Sequence, residues 1–273
     1  MPELPELEVL RRQAKAELVG RIMDAVTVNQ VKAINVSRPE FARRVQGHDI
    51  DGVERKGKHL ALHLGGDDSL DVHFAMGGAL VLRDSAEHDP QHTPFVFAFA
   101  DGAYLHAIRW QLGHIHVLDT EHLCYANGRL GELGPDAWDD IGSAEELRAA
   151  IGGSRAGIKA RLMDQETIAG IGNAYSDEIL FHARLDPRSS TDALREGDFA
   201  AIYEAIREVF GTAIDAGGEG FIDLYGNEGD AQKGFAVHNR GGEACPGDCG
   251  GEVAEIRISG RTGYWCPKCQ ERR

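Results

Sequence analysis

The chain has 273 residues, a formal net charge of −15, and 42% hydrophobic against 27% charged residues. That length buries a substantial core and is comfortable for two domains. No run of about 18 apolar residues is present, which excludes a membrane-spanning helix, and the polar, acidic start MPELPELEVLRR lacks the basic head and apolar centre of a secretory signal, so a cytoplasmic location is expected.

The acid excess speaks against a uniformly basic, phosphate-binding surface, but net charge does not say where charges sit. Residues 151–163 carry Arg155, Lys159 and Arg161 and no acid, and residues 257–273 carry Arg257, Arg261, Lys268, Arg272 and Arg273 against Glu271 alone. A local basic face on an acidic body is compatible with this pattern.

In chain order, residues 5–20 read as a helix: Pro5 suits a first turn, Leu7, Leu10, Ala14 and Leu18 recur at helical spacing, and Gly20 fits the C-terminal stop. From about 24 to 120 the chain reads as short strands: AVTVNQV, HLALHL, SLDVHF, ALVLRD, PFVFAFADG, AYLHAI and HIHVLD. Alternation and the Asp101-Gly102 turn support antiparallel pairing, and strands in this number favour a sandwich or barrel. A short helix is expected at 143–150, and helices again in GIKARLMD, AYSDEILFHAR and DFAAIYEAIREVFGTAI, with turn-rich QETIAGIGN between the first two. Glycine-rich residues 217–242 read as a mobile connection. The expected domains are therefore 1–130, a strand-rich domain with its N-terminal helix; 131–153, a linker; 154–242, a helical domain with a mobile loop; and 243–273, a terminal module.

That module carries Cys245-x3-Cys249-x16-Cys266-x2-Cys269 around the hairpin sequence EVAEIRISGRTGYW. Two short-loop pairs of thiolates are what a tetrahedral zinc ion needs, so one structural Zn2+ is expected. Arg261 sits at the hairpin turn, within reach of a phosphate. Upstream, Gly170, Gly172 and Asn173 precede a helix whose N-terminal N–H groups suit an anion, with Lys159 in the preceding helix.

Pro2 becomes the N-terminal residue if the initiator Met is removed, as a small second residue permits. Its secondary amine would be less basic than a lysine side chain and competent to attack a sugar C1′ and form an iminium. Glu3 and Glu6 stand close by; one could protonate the opening sugar while the other orients or relays protons. The histidines are scattered; His59, His63 and His73 are expected to face solvent or polar partners, and the His114-x-His116 spacing is common on strands without a metal. Cys124 reads as a packed thiol.

In this order, MPELPELEVLRR, RKGKHLALHL, HFAMGGAL, GIKARLMDQETIAGIGNAYSDEILF and the four-cysteine module with SGRTGYWCPKCQ resemble the formamidopyrimidine-DNA glycosylase / endonuclease VIII family over nearly the whole chain. The resemblance implies an α+β multidomain fold: an N-terminal β-sandwich with its helix, a helical domain with a helix–two-turn–helix, and a four-cysteine β-hairpin zinc finger. It implies a monomeric bifunctional DNA glycosylase and abasic-site lyase of base excision repair, acting on double-stranded DNA with a damaged base or abasic site through β,δ-elimination. By the same resemblance Pro2 is the nucleophile, Glu3 the acid that opens the sugar, and Glu6 a carboxylate of the same motif. Lys58 contacts phosphate near the lesion, Lys159, Asn173 and Arg261 form a phosphate clamp, and Met76 fills the space of the extruded base. The chain departs from the family at Ile108–Gly113, where Trp110 and Leu112 replace the intercalating Arg and Phe of purine-directed members; Trp110 is a candidate to stack on DNA bases or, alternatively, a core residue. The segment GNEGDAQKGFAVHNRGG is also shorter than the family's lesion-covering loop. These departures open two alternatives: a glycosylase for bulky, alkylated or crosslinked bases, or a damage-binding paralogue with weak catalysis.

Overall fold

The computed structural model describes residues 1–120 and 133–273, and Cys124 lies outside the described residues. The chain divides into two compact units, Met1–Gly131 with Ala216–Asp230, and Glu132–Asp215 with Ala231–Arg273.

The first unit opens with helix α1, Leu4–Leu18, which buries Leu4, Leu7, Leu10, Ala14 and Leu18 on one face. Strand β1 (Met23–Val28) and helix α2 (Arg38–Val45) follow. Then come β2 (Ile50–Lys56), β3 (His59–Leu64), β4 (Asp68–His73), β5 (Gly77–Arg83), β6 (Phe95–Phe99), β7 (Tyr104–Gln111) and β8 (His114–Asp119). They pair in two four-stranded antiparallel sheets, β1-β6-β7-β5 and β2-β3-β4-β8. Inner-face residues of both sheets, among them Val53, Leu60, Leu62, Leu70, Val72, Phe95, Phe97, Leu105 and Ile115, share one core with the buried stripe of α1. Of the sandwich or barrel that period-2 alternation predicts, this is the sandwich that the resemblance implies.

Two of these elements go beyond the sequence reading. Helix α2 starts at Ser37, whose hydroxyl accepts from Glu40 N–H, with Pro39 in its first turn. Strand β2 places only Ile50, Val53 and Arg55 inward, and a register shift between Ile50 and Gly52 breaks its alternation.

The division of the chain also differs from the expected one. Residues 216–230 join the first unit because β9 (Glu219–Ile222) and β10 (Glu228–Asp230) form a two-stranded ribbon. Phe221 and Leu224 from this segment enter the sandwich core, and Leu82 N–H donates to Leu224 O. The expected connection is thus paired and packed over these residues.

The second unit begins with α3 (Ala144–Ile151), which packs on the long α6 (Glu196–Asp215). Between them α4 (Ile158–Met163) and α5 (Asn173–His182) form the helix–turn–helix. Gln165 fixes its turn: the side-chain amide donates to Met163 O and Ile171 O and accepts from Gly170 N–H. Strands β11 (Ala254–Ile258) and β12 (Arg261–Trp265) form the terminal hairpin. It turns through Ser259 and Gly260, both at positive φ, where glycine is favoured at the second position. Among the described residues no helix is long and apolar enough to cross a membrane.

Candidate functional site

At the head of α1, Glu3 and Glu6 form a reciprocal capping box, with Glu3 N–H donating to Glu6 Oε2 at 2.6 Å. Both side chains are buried, while Pro2 is half-buried and Met1 exposed. The second Glu6 oxygen accepts from Glu219 N–H at 2.8 Å, so one carboxylate fixes the start of α1 and the β9 segment together. Gly218 makes this approach; it has φ +86°, and a Cβ there would lie 2.7 Å from Glu6 Cγ. The result is a cavity of about 310 Å³ whose wall includes Pro2, Met76, Arg109, Gln111 and Glu219.

The base of α1 is held by charge. Glu8 is buried and binds Arg11, Arg12 and Arg55, whose side chain is fully enclosed. Burial pushes the Glu8 carboxyl up, but the hydrogen bonds from Arg11 and Arg12 and the charges of Arg11 and Arg55 outweigh it and bring it down to about 2. Arg55 also donates to Gly57 O, fixing the turn that carries Lys58, itself largely buried.

Around the cavity, the projecting side chains are Met76, 66% exposed, and Leu112, 85% exposed. Their backbones adjoin, with Met76 N–H donating to Gln111 O. Trp110, one of the candidate DNA contacts, takes the core alternative instead. It is 7% exposed and packs on Phe74 and Phe95 in the sandwich core, so it offers no ring face for a base to stack on. Strict alternation from Leu105 and Ala107 would turn Trp110 outward; instead the β5–β7 register shifts at Gly77–Ala79, with Arg109 at positive φ, so that Trp110 is buried while Arg109 and Gln111 are exposed. Gly113 is required beneath the indole, because a Cβ there would come within 2.7 Å of it.

In the second unit Lys159 also departs from expectation. It is fully buried, and its ammonium is held by Asp177 at 2.7 Å, Ser176 Oγ at 2.6 Å and Asn173 O at 3.0 Å. An ammonium so enclosed does not meet a phosphate outside the protein without leaving Asp177 buried and unpaired; it fastens α4 to the first turn of α5 instead. Asp177 also binds His238 at 2.7 Å, and neighbouring Glu178 accepts from Ala236, Val237 and His238 N–H. Asn173 Nδ2 donates to Thr262 O, tying α5 to β12. Two residues before Gly263, which packs directly against the Lys159–Asp177 pair, Arg261 stands exposed at the hairpin tip.

The four cysteines converge. Their sulfurs lie within 4.8 Å of one another, with Cys245–Cys269 at 3.5 Å and Cys249–Cys266 at 3.6 Å, and all four are free thiols. Gly247 and Gly251 N–H donate to the Cys245 and Cys249 sulfurs. A tetrahedron with metal–sulfur bonds of about 2.3 Å has edges of about 3.8 Å, so the cluster fits a single metal ion.

Sequence reasoning missed Glu219, Asp177, Glu178 and Gln165. Each acts through a partner remote in sequence or in a loop, and no local pattern marks it. The Ser37-Arg-Pro-Glu signature of α2 was legible.

Two family models match the chain: the formamidopyrimidine-DNA glycosylase N-terminal domain over residues 1–109 and the formamidopyrimidine-DNA glycosylase H2TH domain over residues 133–223. The formamidopyrimidine-DNA glycosylase of Pelotomaculum thermopropionicum is 36% identical over 99% of both chains. That of Heliobacterium modesticaldum is 35% identical over 99% of this chain and all of its own. Among solved structures, the Lactococcus lactis Fpg bound to DNA containing N7-benzyl-Fapy-dG superposes with a TM-score of 0.89 at 28% identity, covering 99% of this chain and 100% of that one. Its complex with DNA containing an abasic site gives 0.88.

Proposed function

The chain belongs to the formamidopyrimidine-DNA glycosylase family, and from that premise we propose that it excises damaged bases from double-stranded DNA and cleaves the strand at the resulting abasic site, with Pro2 as nucleophile. The observation that carries this reading is the head of α1: the residue that becomes the N-terminus once Met1 is removed borders a cavity, beside two buried carboxylates already fixed in place.

The Pro2 nitrogen attacks C1′ of the damaged nucleotide. The base departs with the glycosidic electron pair and a proton, and Glu3 protonates the opening sugar oxygen. Loss of a proton from nitrogen leaves an iminium that acidifies C2′–H. Removal of that proton expels the 3′ phosphate (β-elimination), a second elimination expels the 5′ phosphate, and water releases the sugar remnant and regenerates the amine. Glu6 acts as the strut for this step, since both its oxygens are engaged by backbone N–H. Met76 and Leu112, in place of Trp110, are the side chains to fill the space left by the extruded base. Lys58, Asn173 and Arg261 would meet phosphates, with Lys159 holding the helix behind them. A zinc ion bound by Cys245, Cys249, Cys266 and Cys269 would fix the hairpin that carries Arg261.

A second reading, preference for bulky bases, rests on Gly77 in the cavity wall, where a Cβ would meet nothing closer than Arg109 O at 3.9 Å. A Gly77→Leu variant would fill that space. Selective loss of benzylated-base excision, with abasic-site cleavage retained, would support this reading; equal loss on small and bulky lesions would remove it.

The nucleophile is tested by borohydride trapping on a duplex with one abasic site. Wild type gives a covalent adduct, and Pro2→Gly gives at least about 100-fold less, the scale of losing one catalytic group. An undiminished adduct in Pro2→Gly would refute the assignment.

A further inference from the structure

The outer face of the β2-β3-β4-β8 sheet carries a cluster that the chemistry at Pro2 does not use. Register places His59, His73 and His114 in one row across β3, β4 and β8, and Ala61, Asp71 and His116 in the next. Asp71 therefore lies diagonal to both His59 and His114, a separation that long side chains span. His59 Nδ1 lies 2.9 Å from Asp71 Oδ1, and His114 Nε2 lies 3.1 Å from Asp71 Oδ2. The three donor atoms all fall within 4.8 Å of one another.

We propose that His59, Asp71 and His114 form a second metal site, taking a divalent zinc-class ion through two imidazole nitrogens and one carboxylate. Four observations support it. Ions of this class bind nitrogen and oxygen at about 2.0–2.1 Å, giving tetrahedral edges of about 3.3 Å, and each imidazole nitrogen already lies near that distance from one oxygen of the carboxylate, His59 from Oδ1 and His114 from Oδ2, so a small turn of the carboxylate presents one oxygen to both. The carboxylate is buried, with 3% side-chain exposure, while the imidazoles are 18% and 27% exposed, so an ion reaches the donors from solvent and meets a negative charge beneath them. Across from Asp71 stands Ala61, whose small side chain leaves room for an ion above the carboxylate. The three donors come from three consecutive strands of one sheet, which holds them in place without a loop to order. Binding requires each ring to carry its proton on the nitrogen facing away from the metal, a tautomer shift that costs no charge. Three protein ligands leave the remaining position to water.

The site does not rest on the reading of Pro2 as nucleophile, and its test needs no DNA. Full-length protein holding one equivalent of zinc in its cysteine cluster is titrated with Co2+ and desalted, and bound metal is counted. The proposal expects one further equivalent, with a visible d–d band and no thiolate-to-cobalt charge transfer. In His114→Gln the amide still donates to Asp71 but is a poor ligand, and His59→Gln is its counterpart. Each is expected to weaken the second equivalent by about tenfold or more, since loss of an outer-shell partner alone costs that much. His92→Gln, on an exposed loop, is expected to leave it intact. If the Gln variants unfold, histidine ring resonances in wild type decide instead: Co2+ should shift those of His59 and His114 while leaving His92 in place. Binding of no second equivalent, a second equivalent that survives both substitutions, or shifts confined to other histidines would overturn the site.

Discussion

The heads of α1 and α5 are built from similar parts and serve opposite ends. Each begins a helix whose first turn is ordered by buried polar groups. At α1 the buried groups are carboxylates, Glu3 and Glu6, and the residue before them borders a cavity. At α5 the buried group is an ammonium, Lys159, enclosed by Asp177, Ser176 and Asn173. The first arrangement leaves Pro2, the proposed nucleophile, at the wall of a cavity next to two buried carboxylates. The second spends its charges on one another and leaves a rigid support for the hairpin, to which Asn173 is tied and at whose tip Arg261 is exposed. A buried charge at a helix head is therefore a candidate for chemistry only where space adjoins it.

The sharpest way to break this comparison is Glu3→Gln. The amide preserves size and burial but cannot supply a proton. Base excision is expected to fall by about 10²–10⁴-fold, while cleavage of a preformed abasic site persists, because the amine is untouched. Single-turnover assays on both substrates check this; equal loss on the two would assign Glu3 to structure, as at α5.

The corresponding change at α5 is Lys159→Met. Removing the cation leaves Asp177 buried beside His238 alone, and the second unit is expected to lose about 3–5 kcal/mol. Denaturant unfolding measures this. The contrast lies in the outcome: Glu3→Gln costs activity with stability kept, whereas Lys159→Met costs stability first. If Lys159→Met melts like wild type but binds DNA less tightly in a salt-dependent way, the ammonium reaches a phosphate after all.

A smaller effect is expected at the hairpin tip. Arg261→Ala should leave the melting temperature unchanged and weaken binding to undamaged and damaged duplex alike. The slope of log affinity against log salt should fall by about one, since one phosphate contact is removed. An unchanged slope would take Arg261 out of the phosphate-contacting set.

These two regions also show what was readable from sequence. The apolar spacing of α1, the alternation of β3 to β8 and the cysteine spacing are local periodicities, and each maps onto an observed element. Pro2, Glu3 and Glu6 were legible as candidates at the N-terminus, and resemblance supplied Glu3 as the acid. What sequence did not supply is which way a known residue points. Lys159 and Trp110 both read as DNA contacts, yet one is enclosed by α5 and the other by Phe74 and Phe95, because burial is decided by neighbours far along the chain. β2 escapes a sequence reading for a related reason: its inward face includes Arg55, whose burial makes sense only with Glu8 of α1 opposite it. The carboxylate row of Asp71 between two histidine-bearing strands likewise exists only once register is set.

A further expected effect concerns Glu8, which anchors α1 from below. Its carboxyl is brought from an ordinary 4.5 to about 2 in the folded protein. A carboxylate lowered on folding contributes stability that is complete above its unfolded pKa and is lost as pH falls through the folded one. The window is therefore pH 4.5 down to about 2, with no contribution to pH dependence near neutrality. Glu8→Gln should flatten the acid limb of a melting-temperature profile in that window and lower the neutral plateau, because Arg55 is left enclosed without its anion. An acid limb identical in slope to wild type would place its origin in other carboxylates. A flattened one, with borohydride trapping preserved at about pH 7, would separate the charges that hold α1 in place from Pro2 and Glu3 at its head, which are proposed to carry the chemistry.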